Sequence, residues 1–174
     1  MNEILNRDAV DLAAMIARRE ISAAELMEAT LARIDEVNPK LNAIVSMTSG
    51  EAAMDMARAA DRGPVKGPMH GLPLAIKDLA DAKGLPTSMG SPVYKDAGPA
   101  PKDDIMVARM RAAGALIIGK TNTPEFGLGS HTYNPVWGAT RNAWDPSRSA
   151  GGSSGGAAVA LTTGMMPIAD GSDM

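Results

Sequence analysis

Ser149-Ala150-Gly151-Gly152-Ser153-Ser154-Gly155-Gly156 runs directly into Ala157-Ala158-Val159-Ala160-Leu161. Four glycines bracket two serines, so the backbone is free to turn sharply. The apolar run behind reads as a buried helix whose first free N–H groups point back at the serines. Such a turn can hold an attacking serine or receive an anion at the helix N-terminus. Glycine and serine also compose flexible linkers, but a linker does not normally enter an apolar helix without a polar spacer. The second candidate is Lys77, delivered with Asp78 at the end of the short apolar strand Leu72-Pro73-Leu74-Ala75-Ile76. Strand ends are where open α/β sheets place reactive groups. Spacing alone leaves two states open for this lysine. One is a solvent-facing ammonium paired with Asp78 or Asp81. The other is an amine drawn into a dry pocket, where desolvation disfavours the charge and leaves a base.

Gly114-Ala115-Leu116-Ile117-Ile118-Gly119-Lys120-Thr121 matches the phosphate-loop pattern G-x-x-x-x-G-K-[ST] letter for letter. A phosphate loop needs an exposed turn after a strand, with Lys-Thr opening a helix. Here the variable residues are themselves the strand and Asn122-Thr123-Pro124 follows, so nucleotide binding is not expected. His131 lies in the glycine-hinged polar loop Gly127 to Asn134, within reach of a substrate but with no carboxylate at a readable spacing. His70 sits in a Pro/Gly turn. With no cysteine and two widely separated histidines, neither a disulfide framework nor a metal cluster is expected.

The elements that must position these groups alternate. Asp8 to Arg19 has helical apolar spacing, and Ser22-Ala23-Ala24-Glu25 is a capping box opening a second helix with the stripe Met27, Leu31, Ile34 and Val37. Asn38-Pro39 is expected to stop that helix. Leu41 to Met47 reads as a strand, and Glu51 to Arg62 as a third helix ended by Gly63-Pro64. Gly84 to Pro101 is a long irregular loop. Asp103 or Asp104 caps a helix through Val107, Met110 and Ala113, closed by Gly114, and Ala115 to Ile118 forms a buried strand. Asn122 or Thr123 then caps a helix start with Pro124 in its first position. Trp137, Trp144 and Asp145-Pro146 belong to the loop that approaches the Gly/Ser run. Helices and strands in such close alternation indicate α/β architecture.

The composition is that of a globular domain, 45% apolar and 21% charged over 174 residues. A net charge of −3 supplies no basic surface for nucleic acid or an anionic membrane. Neither an export signal nor a membrane span is visible, and a cytoplasmic location is the expectation. Thirteen methionines against one phenylalanine imply a core filled by flexible side chains.

Lys77 at a strand end, Gly119-Lys120-Thr121-Asn122-Thr123-Pro124-Glu125-Phe126 and Gly151-Gly152-Ser153-Ser154-Gly155-Gly156 together resemble the amidase signature family of serine hydrolases. The resemblance implies a mixed β-sheet core flanked by helices, no cofactor, and a Ser–cis-Ser–Lys triad. In that triad Lys77 matches the lysine, Ser153 the serine that follows a cis peptide bond, and Ser154 the neighbour supporting the hydrogen-bond network. The lysine's pKa must then fall by several units to act as a base. Gly171-Ser172-Asp173-Met174 matches the opening of the family's G-[ST]-D-x-G-G-S segment, whose last serine attacks the amide carbonyl. The nucleophile is therefore expected just after Met174. Gly152, Ser154, Ser172, Asp173 and Met174 are expected to support the site, Met174 with an oxyanion-hole N–H. Phe126, Gly129, Ser130 and His131 are the expected substrate contacts, with Tyr94, Leu128 and Tyr133 as further walls.

On this resemblance residues 1–174 are the N-terminal part of a single domain, 1–62 a mainly helical scaffold and 63–174 a segment of the catalytic core. The expected partners are a small-molecule amide and the remainder of an amidase chain, with a homodimer possible. Alone, the chain is expected to be inactive. The implied activity is hydrolysis of a carboxamide; the alternatives are an inactive assembly fragment and a component of a glutamine-dependent amidotransferase.

Overall fold

The structure is a computed structural model, and it describes residues 3–172. Helix α1 (Ala9–Ala17) and helix α2 (Ala23–Leu41) lead into strand β1 (Ile44–Met47) and helix α3 (Gly50–Arg62). Strand β2 (Pro73–Lys77), helix α4 (Ile105–Ala112) and strand β3 (Leu116–Thr121) follow. A small hairpin, β4 (Tyr133–Asn134) and β5 (Gly138–Ala139), precedes helix α5 (Gly155–Thr162). The main sheet runs β1-β3-β2, with β1 antiparallel and β2 parallel to β3. This is a mixed α/β arrangement, with α4 crossing between the two parallel strands.

Each sheet face has its own core. Ala75, Ile118 and Ile44 pack with residues of α2, α3 and α5, including Met27, Ala53 and Val159. Leu74, Ile76 and Ile117 pack with Val107 of α4 on the other face. The β2/β3 register slips by one residue between Leu74 and Ala75: Leu74 faces Ile117, but Ala75 faces Gly119. Because side chains alternate along a strand, this slip sets Lys120 beside Ile76 and Thr121 beside Lys77. The two lysines therefore point to opposite faces of one sheet.

The capping box of α2 forms as the sequence indicates: Ser22 Oγ accepts the Glu25 N–H, and Glu25 accepts the Ser22 N–H. Asn38-Pro39 does not stop that helix, which continues to Leu41 with Pro39 inside its last turn. So close to the end a proline forfeits a single intrahelical bond. Asn38 anchors the exit, its Oδ1 accepting the N–H groups of Ala43 and Ile44, while Asn42 closes the helix at φ 54°. The first strand accordingly begins at Ile44 rather than Leu41.

The expected helix start at Asn122 is absent, and only a 3-10 turn, Glu125–Gly127, forms. Asn122 is taken up by other bonds: its N–H reaches Ala43 O, its Oδ1 accepts from Asn134 Nδ2, and its Nδ2 donates to Thr140 Oγ1. Strand β3 also extends through Gly119-Lys120-Thr121. The triplet that mimics a phosphate loop is thus interior β-structure.

Candidate active site

Lys77 ends β2 at 2% exposure, so the dry-pocket alternative describes its placement and the solvent-facing one does not. Its Nζ lies 2.7 Å from Ser153 Oγ, 3.0 Å from Ser154 Oγ and 2.9 Å from Ser172 Oγ. Three hydroxyls from two separate segments therefore converge on one amine. Ser172 N–H donates to Ser154 Oγ at 3.1 Å, which joins the two segments to each other. The Gly152–Ser153 peptide bond is cis.

The glycines around the serines serve close packing. A Cβ on Gly156 would collide with the main chain of Asn122 and with Ala43 O, and one on Gly155 with Thr132 Oγ1. Gly151 adopts φ +77°, open to glycine at little cost. The expected direction of the α5 N–H groups is corrected. Gly155 N–H donates to Thr132 Oγ1 at 3.0 Å and Gly156 N–H to Asn122 O at 3.3 Å. Because the helix start is pressed against Asn122 after β3, Ala43 before β1 and Thr132, its first amides meet Asn122 and Thr132 before they can meet the serines. Thr132, fully buried, also donates its N–H to Gly151 O at 2.8 Å, so it fixes the run from both sides.

Asp78 does not pair with Lys77's amine in the way that sequence adjacency suggests. Its Oδ1 lies 3.4 Å from Lys120 Nζ, and its carboxylate accepts from Ser88 N–H, Ser88 Oγ and Trp137 Nε1. Lys120, wholly buried, also donates to Ala80 O at 2.7 Å and Thr87 Oγ1 at 2.8 Å. Burial pushes the Lys120 ammonium below the ordinary lysine range, and Asp78 opposes that shift. Asp170 is buried as well, and its Oδ1 accepts the Lys77 main-chain N–H at 2.8 Å. Desolvation raises its carboxyl above the usual range, opposed by that N–H and by the nearby lysines.

A cavity of about 370 Å³ opens on Ser153 and Ser172, walled by Leu79, Phe126, Gly127, Leu128, Gly129, Ser130 and Gly152. Phe126, Gly129 and Ser130 thus border the serines. His131 lines a neighbouring groove with Glu125 and Tyr133, and Phe126, Leu128, Gly129 and Ser130 border both that groove and the serine cavity. Tyr94 meets the edge of Phe126 at a ring separation of 6.3 Å and does not line the serine cavity. Asp173 and Met174 lie outside the described residues. The site also includes Leu79, Thr132 and Asp170, which sequence reasoning misses; only Asp170, an acid following Pro167-Ile168-Ala169, carries a visible signal. Among the described residues no group of three or more His, Cys, Asp or Glu side chains could hold a metal ion. Nor is any helix among them long and apolar enough to cross a membrane.

Comparison with known proteins adds identity to this geometry. The chain is 45% identical to a glutamyl-tRNA(Gln) amidotransferase subunit of Acidothermus cellulolyticus, over 99% of its own length and 35% of that protein's. It is 44% identical to an acylamidase of Rhodococcus erythropolis, over 95% of the chain and 35% of the relative. A 6-aminohexanoate cyclic dimer hydrolase superposes with a TM-score of 0.86 at 38% identity, covering 96% of this chain and 34% of that one. A bacterial aryl acylamidase of the amidase signature enzymes superposes with a TM-score of 0.86 at 33% identity, covering 94% and 34%. The chain spans about a third of the length of the relatives it matches. The Amidase family profile matches residues 25–174, and with the fold in agreement the chain belongs to the amidase signature family.

Proposed function

We propose that this chain supplies the proton-transfer half of an amidase that hydrolyses a carboxamide C–N bond. The observation that carries the reading is the convergence of Ser153, Ser154 and Ser172 hydroxyls on the buried Lys77 amine at the mouth of a cavity. In its amine form Lys77 takes the proton of Ser153, and Ser153 takes that of an attacking serine as its oxygen bonds to the amide carbon. The tetrahedral intermediate collapses by breaking the C–N bond, and the relay runs backwards to protonate the departing amine. Water then attacks the acyl-serine ester through the same relay, releasing the carboxylic acid and restoring the serine.

On this reading the attacking serine belongs to the segment of the longer protein that follows Met174. Activity is accordingly sought in the intact protein that carries both the relay and that serine. That protein, given simple aliphatic and aryl carboxamides at neutral pH, is expected to release ammonia or amine. Ser153→Ala is expected to reduce kcat by about 10³-fold or more. Undiminished hydrolysis by Ser153→Ala contradicts the reading.

The 45% identity to an amidotransferase component favours a second reading, in which glutamine is the amide and its ammonia is passed to a partner. Ammonia release from glutamine exceeding that from simple carboxamides by an order of magnitude in kcat/KM selects it.

A further inference from the structure

Asp170 is buried at 8% exposure, yet no step of the relay uses its carboxylate. Asp78 N–H bonds to Thr121 O across to β3, so the preceding N–H, that of Lys77, faces the other edge of β2. Among the described residues β2 is the last strand in the order β1-β3-β2, and at that edge Asp170 Oδ1 accepts the Lys77 N–H at 2.8 Å. A carboxylate there gives that buried amide an acceptor. Two residues further on, Ser172 places its Oγ 2.9 Å and its carbonyl oxygen 3.4 Å from Lys77 Nζ. The same short segment therefore grips the lysine at its main chain and at its amine. A cavity of about 450 Å³ borders Lys77, Asp170 and Ser172.

We propose that Asp170 is a positioning residue for Lys77. It ties the end of β2 to the 170–172 segment, so that the amine keeps its spacing from Ser153 and Ser172 during proton transfer. The proposal rests on the reading of Lys77 as the base in amide hydrolysis. It assigns the carboxylate a geometric task, with an acceptor oxygen at the Lys77 N–H as the only requirement.

The test uses the intact protein with Asp170→Ala, Asp170→Asn and, as reference, Lys77→Ala. For each, kcat and KM for a carboxamide are measured per folded molecule, with the folded fraction taken from circular dichroism. Asp170→Ala is expected to lower kcat by about 10²-fold, the order of loss for a slightly misplaced catalytic group. Its KM is expected to stay within about threefold, because Asp170 does not line the cavity assigned to substrate. Asp170→Asn keeps an acceptor oxygen of the same reach without the charge, and its kcat is expected within about fivefold of the parent. A parental kcat in Asp170→Ala overturns the proposal. So does an Asp170→Asn as impaired as Asp170→Ala, since the charge and not the tie would then matter. If Asp170→Ala does not fold, Asp170→Asn decides: near-parental kcat supports the tie and a loss beyond about tenfold overturns it. An active Lys77→Ala removes the underlying reading, whereas an inactive Lys77→Ala beside a fully active Asp170→Ala removes this proposal alone.

Discussion

Two lysines lie one register step apart on adjacent strands, both almost without solvent contact, and their surroundings differ in kind. Lys120 meets a carboxylate, a main-chain carbonyl and a threonine hydroxyl, which together hold an ammonium in place. Lys77 meets three serine hydroxyls, groups that can give protons as well as accept them. Burial alone therefore does not set the two lysines apart. The partners decide, and a one-residue register slip sends each lysine to its own set. On one face a charged pair, braced by Ser88 and Trp137, ties the loop after β2 to β3. On the other face the serine segments close over the Lys77 side chain.

The contrast breaks most visibly on the Lys120 side. Lys120→Met leaves Asp78 buried without its cation, and loss of one partner of a buried pair costs about 3–5 kcal/mol. Denaturant unfolding of the intact protein is expected to show that loss, while kcat per folded molecule stays within about fivefold of the parent. A comparable fall in kcat would merge the two lysines into one functional unit.

A smaller effect sharpens the serine side, where the placement of Ser153 and Ser154 rests on close packing of α5. Gly156→Ala forces a methyl group against Asn122 and Ala43, and overpacking of this kind costs about 1–3 kcal/mol. The midpoint of thermal unfolding is expected to fall accordingly. An unchanged midpoint would mean that α5 is not held against the strand ends.

The smallest effect is a pH slope. Lys120 has a depressed pKa in the folded chain against an ordinary 10.5 when unfolded. Between those values the unfolded chain binds a proton that the folded one does not, so stability rises with pH towards 10.5. Relative to Lys120→Met, the parent is expected to gain stability with a slope of at most about 1.4 kcal/mol per pH unit. Asp170 has the opposite sign: its raised folded value means stability falls as pH climbs above 3.8, and Asp170→Asn removes that fall. Parallel pH–stability curves for parent and Lys120→Met would contradict the assigned direction.

Much of this was legible in the sequence because it depended on short-range rules. The capping box at Ser22, the apolar strand ending at Lys77 and the glycine-bracketed serines each announce a local conformation that the fold adopts. What escaped were choices made by distant partners. Asn38 and Asn122 look like a helix stop and a helix start, yet their side chains satisfy main-chain groups of other segments. Lys77 and Asp78 are neighbours in sequence, but alternation along the strand turns them to different faces, and Asp78 finds Lys120 instead. Asp170 gives little sign of its role because its partner, the main-chain N–H of Lys77, lies 93 residues away. The serine cluster itself was suggested by the family resemblance; spacing alone left Lys77 open between solvent and a dry site.

The difference between the two lysines is tested most directly by kcat/KM for amide hydrolysis, measured on the intact protein with Lys77→Ala and with Lys120→Met and scaled to folded protein. Lys77→Ala is expected to lose about 10³-fold or more with its unfolding midpoint close to the parent's, whereas Lys120→Met loses stability and keeps its turnover. Undiminished hydrolysis by Lys77→Ala would contradict the assignment of the base.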